Sequence, residues 1–108
     1  MPADSTPAVA DLPLTDEVRA FCERNDILDH LRRAVELARE HFSLVGEPKV
    51  LLQQDPEDGE WYLDLEIRVR DYDSEYVRAH EAYNRCWATS TPWPAVHLIA
   101  LFTDFVEQ

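Results

Sequence analysis

The ten residues Trp61-Tyr62-Leu63-Asp64-Leu65-Glu66-Ile67-Arg68-Val69-Arg70 constrain this chain more than any others. Trp61, Leu63, Leu65, Ile67 and Val69 fall on one parity, and Tyr62, Asp64, Glu66, Arg68 and Arg70 on the other. Side chains on a strand alternate between faces, so the pattern predicts a strand buried on one face and wet on the other. Such strands belong to antiparallel sheets covered on one side, which favours an α+β fold.

The rest of the chain supplies what covers that sheet. Residues 1–13 carry Pro2, Pro7 and Pro13 among small and polar residues, and read as a disordered N-terminal tail. Residues 14–108 then form a single α+β domain. Thr15 can cap a first helix, with Asp16 and Glu17 in its first turn and Val18, Phe21 and Cys22 on its apolar stripe; Asn25 suits its end. Asp26 can cap a longer second helix, in which Leu28, Leu31, Val35, Ala38 and Phe42 step by threes and fours along one face. Gly46 and Pro48 end it.

Lys49 to Gln54 reads as the first strand, with Val50-Leu51-Leu52 apolar on both parities, which suggests a central position. Asp55-Pro56-Glu57-Asp58-Gly59-Glu60 connects it to the Trp61 strand as a hairpin, Pro56 fitting a turn and Asp58-Gly59 tolerating positive φ. Ser74 can cap a third helix bearing Tyr76, Ala79, Tyr83, Cys86 and Trp87 on one face, stopped by Thr91-Pro92-Trp93-Pro94. Residues 96–106 fit a helix nearly as well as a strand; β-branched and aromatic residues favour a buried strand after a single turn at Pro94–His97. A right-handed crossover through the third helix sets that strand parallel to the second. Placing it beside the first gives a three-stranded sheet ordered second, first, third, covered by helices on one face.

Charge narrows the function classes. The chain has 22 acids against 10 bases, a formal net charge of −12. From Asp55 to Glu66 there are six acids and no base. That field repels phosphate backbones and anionic membranes, which excludes non-specific nucleic-acid binding and membrane-surface docking. It attracts a basic protein surface, although solubility alone, or a composition bias visible in nine arginines against one lysine, also accounts for it. No run approaches the roughly 18 apolar residues of a membrane span, and the N-terminus lacks the marks of a secretory signal. The expectation is a cytoplasmic protein with Cys22 and Cys86 reduced.

No catalytic set emerges. His80-Glu81 begins an H-E-x-x-H pattern, but position 84 is Asn. Asp71-x-Asp73-x-Glu75 opens like a calcium loop, yet Tyr76 and Ala82 stand where the loop needs Gly and Glu. Asp64 and Glu66 lie about 7 Å apart on one strand face, but Arg68 and Arg70 continue that face as a mixed-charge ladder. Two glycines leave no phosphate-cradling loop. No cofactor, metal or catalytic residue is therefore assigned. Two readings remain. One is a non-enzymatic acidic module that binds a protein partner with a basic or apolar surface, through Asp55, Glu57, Asp58, Glu60, Trp87 and Trp93. The other is a small enzyme with a site assembled from sequence-distant histidine and carboxylate residues, such as His80 and Asp64, or from Cys86.

The loop Asp55-Pro56-Glu57-Asp58-Gly59-Glu60, the following Trp61-Tyr62-Leu63-Asp64-Leu65 and the later Thr91-Pro92-Trp93 carry one further likeness. Over residues 14–106 the chain resembles small uncharacterised bacterial α+β proteins, some encoded beside toxin-like genes. The resemblance implies the architecture and a partner-binding role, and brings no site residues with it.

Overall fold

The computed structural model describes residues 8–9 and 12–106. Two short strands, β1 (Ala8–Val9) and β2 (Leu12–Pro13), pair antiparallel; the remainder of the segment 1–13 expected as a disordered tail lies outside the described residues. They are followed by α1 (Asp16–Asn25), α2 (Leu28–His41), the hairpin β3 (Lys49–Gln54) and β4 (Trp61–Val69), α3 (Ser74–Ser90), the single turn α4 (Ala95–Leu98) and β5 (Ile99–Phe105). This is an α+β fold with two N-terminal helices, a hairpin, a third helix and a closing strand.

Local chemistry places most of these boundaries. The Thr15 hydroxyl accepts the Val18 N–H at 3.2 Å and so caps α1. Asp26 does not cap α2: it sits at φ 55° in the left-handed region and closes α1, its N–H directed to Cys22 and Glu23 carbonyls. The residue ahead of α2 is Ile27, without a side-chain cap, and its side chain is 1% exposed. At α3 the cap is Asp73, whose Oδ1 accepts the Tyr76 N–H at 2.9 Å, so Ser74 is the first helical residue instead of the cap. An aspartate one position upstream carries the better acceptor.

The core forms where the helices lie on the sheet. Leu63, Leu65 and Ile67 of β4 are fully buried and Val69 nearly so, against Val18, Phe21, Leu31, Val35, Ala38 and Phe42 from α1, α2 and the end of α2. Each of the valine, leucine, isoleucine and phenylalanine side chains contributes about 1.5–3 kcal/mol of burial energy. Ala34 and Leu37 are also buried, so α2 presents a wider apolar face than its stepped pattern alone marks out. α3 adds Tyr83 and Trp87, and Tyr76 donates its hydroxyl to Thr103 Oγ1 of β5 at 3.0 Å.

The strand order differs from the expectation. The sheet runs β3-β4-β5, antiparallel between β3 and β4 and parallel between β4 and β5. β4, not β3, is central. Only Val50 and Leu52 of β3 pack on the core; Leu51 lies on the other face and is 37% exposed, so its apolar character reflects no burial on both sides. β5 is a strand, as preferred, but it forms an edge and is largely exposed. Trp61, despite its inward parity, is 48% exposed, because it lies at the loop end of the hairpin opposite the exposed Gln54.

Candidate functional site

The acidic hairpin loop is built by its own carboxylates. Asp55 Oδ1 accepts the Glu57 N–H at 2.8 Å and Asp58 Oδ1 accepts the Glu60 N–H at 2.9 Å, two side-chain-to-backbone turns in succession. The Gly59 N–H reaches the Asp55 carbonyl at 2.9 Å, with Gly59 at φ 73°, and Gln54 Nε2 donates to the Gly59 carbonyl at 3.0 Å. Two of the four candidate loop acids are thus turn-formers. Glu57 and Glu60 are exposed, and their carboxylates meet no hydrogen-bond partner or cation among the described residues.

Below the loop, no helix or strand among the described residues lies over the face of the sheet turned away from the helices, and Pro13 and Val45 to Pro48 border its β3 side. Cross-strand register sets its rows. Lys49, Glu66 and Phe102 form one, and Leu51, Asp64 and Ala100 the next; Arg68 lies beside Asp104, and Gln53 beside Tyr62. Lys49 and Arg68 each lie across from an acid, whereas Asp64 has Leu51 and Ala100 on its two sides. Its carboxyl makes no hydrogen bond or ion pair among the described residues, and partial burial, with Glu66 adding to it, raises its pKa above the usual carboxylate range. Phe102, 54% exposed, and Leu51 complete an apolar rim around an under-solvated anion.

The tryptophans separate. Trp87 is 7% exposed and stacks on Tyr83 with centroids 6.4 Å apart, so it is core and presents no surface to a partner. Trp93 is 72% exposed, its ring 5.0 Å from that of His97. The helical stripe Tyr83–Trp87 already marked the first as an inward residue; nothing in the pattern around Pro92 and Pro94 distinguishes a buried from an exposed ring.

The residues suggested for an assembled catalytic site are not brought together. Asp64 projects from the open face, while His80 lies on α3 against Phe42 and Tyr76 on the covered side, its Nδ1 3.2 Å from Asn84 Nδ2; the sheet stands between them. Cys22 is buried, and burial with the Glu23 charge pushes its thiol to about 11, away from thiolate chemistry. Cys86 is half-buried, and both cysteines are free. A cleft the sequence did not foreshadow opens between the end of α2 and the start of α3, with a volume of 170 Å³ and His41, Arg70, Asp71, Asp73 and Glu75 along its wall. The Asp73 carboxylate there is committed to capping α3. Among the described residues no group of three or more histidine, cysteine or acidic side chains is placed to hold a metal ion. Also among them, no helix is long and apolar enough to cross a membrane.

Comparisons with protein-family models, with curated proteins and with solved structures found no match for this chain.

Proposed function

We propose that this chain is a non-enzymatic acidic interaction module that binds a basic surface or segment of another protein in the cytoplasm. The observation that carries the reading is the open sheet face. Asp64 lies there between Leu51 and Ala100 and makes no ion pair among the described residues, while burial and the Glu66 charge raise its pKa. A lysine or arginine laid across that row supplies the countercharge, and its alkyl stem rests on Leu51 or Ala100. The hairpin acids Glu57 and Glu60, exposed at the end of the same sheet, extend the negative field towards solvent. Complementary fields chiefly accelerate encounter and lose effect as ionic strength rises, the screening length being about 10 Å at 0.1 M salt.

The test is affinity capture with the wild type and with a Glu57→Lys, Glu60→Lys double variant, followed by association kinetics of each captured protein across a salt series. These two positions leave the Asp55 and Asp58 turns intact, so the loop keeps its shape. The expected result is a basic partner that associates several-fold more slowly with the variant and more slowly at high salt. An association rate indifferent to both substitutions and to salt would refute the reading.

A further inference from the structure

We infer that the module, if it binds as just proposed, takes its partner by strand addition: an extended segment of another protein, apolar residues alternating with lysine or arginine, pairs with the free edge of β5. The backbone geometry points there. The Val106 N–H donates to the Val69 carbonyl at 2.9 Å, so at even positions of this strand the N–H and C=O groups turn towards β4. Backbone groups alternate sides along a strand, so those of Ile99, Leu101, Thr103 and Phe105 turn outward. β5 ends the sheet, and none of those outward groups meets a hydrogen-bond partner among the described residues.

Exposed edges are ordinarily blunted by lysine, proline, bulges or a covering element. The other edge shows such devices: β3 follows Pro48, opens on Lys49 and has α1 packed against it. Ile99–Phe105 contains no lysine, arginine or proline, and its one charge is Asp104. Its side chains form a shelf for a paired strand. Ala100 and Phe102 are exposed on the open face, and on the other face Phe105, 39% exposed, lies 5.5 Å from the ring of Tyr72, which is 72% exposed.

Charge selects the occupant. A second copy of this chain would bring −12 against −12. A segment with cationic residues on the open face meets the exposed Asp104, while main-chain hydrogen bonds hold it and its alternate apolar side chains rest on Phe105 and Tyr72 on the other face.

The probe is a short, end-blocked peptide of alternating valine and lysine, added to isotope-labelled protein at low salt, with amide exchange read by NMR. The expected result is slowing by at least about tenfold of the outward amides of Leu101, Thr103 and Phe105, with little change at Ala100 and Asp104. Thr103→Pro removes one outward donor and should weaken the peptide at least about tenfold, whereas Thr103→Val, which loses only the hydroxyl, should bind like the wild type. Should the proline variant not fold, amide protection in the wild type decides alone. Binding confined to residues 55–60, with no protection along β5, would overturn strand addition and leave the acidic reading standing. Equal binding of a valine–glutamate peptide would overturn the choice of a basic occupant. Protection of the β5 edge in the protein alone, with dimers in sedimentation, would assign the edge to a second copy instead. Absence of binding to any site would overturn both this inference and the reading beneath it.

Discussion

Asp64 is the residue whose environment carries most of the functional argument, and its titration offers a direct check. Its carboxyl has an ordinary pKa of 3.8, raised in the folded chain first by burial and then by the Glu66 charge. The folded state therefore holds the proton more tightly than the unfolded state. The group's contribution to stability is greatest below the unfolded value and declines as pH rises through the folded one. Asp64→Asn removes that decline. The variant should gain stability relative to the wild type as pH rises from 3.8 through the raised folded value, and the difference should be level on either side of that window, as read from denaturation midpoints. A wild type that gains on the variant with rising pH would mean that Asp64 has a stabilising partner. At Cys22, where the thiol is buried and pushed to about 11, a thiol reagent should label only as fast as the chain unfolds. Labelling at the rate of an exposed thiol would show that the α1 side of the core opens freely.

At the scale of elements, β4 sets the architecture and its two faces predict opposite behaviour. Leu65→Ala, at a fully buried position, should cost about 2–5 kcal/mol in chemical denaturation, and Glu66→Ala within about 0.5 kcal/mol. Equal losses would place the strand in the wrong register. In the hairpin, Gly59 sits at φ 73° with only the end of Gln54 within reach of an added Cβ, at 3.8 Å. Gly59→Ala should therefore cost about 1–2 kcal/mol through backbone strain and not through a clash. These elements were legible because each is written in local chemistry: strict alternation in β4, threes and fours in α2, Asp-Gly in the turn. The strand order was not. Leu51 looks like evidence of burial on two faces, yet its neighbour across the strand pair is Asp64, and which strand lies next to which depends on packing between distant segments. The αL aspartate at position 26 is ambiguous in sequence for a related reason, since an acid between two helices suits the end of one as readily as the start of the next.

On the scale of the whole molecule, the candidate site was only partly readable. The base-free acidic run is visible in the sequence, but its division into turn-forming Asp55 and Asp58 and projecting Glu57 and Glu60 requires the hydrogen bonds of the folded loop. The exposure of Trp93 is set by the turn between α3 and α4, and the pairing that leaves Asp64 without an ion pair among the described residues, while Glu66 and Asp104 lie across from Lys49 and Arg68, follows from strand register, which no local pattern encodes. The proposed module acts through this surface and not through the cleft between α2 and α3. The measurement that separates the two most directly is an NMR shift map of the isotope-labelled chain titrated with the basic protein recovered by affinity capture. The predicted map concentrates on residues 55–66 and 99–105 and weakens as salt is added. A map centred on His41, Asp71, Glu75 and Tyr76 would contradict the account and point to chemistry in the cleft.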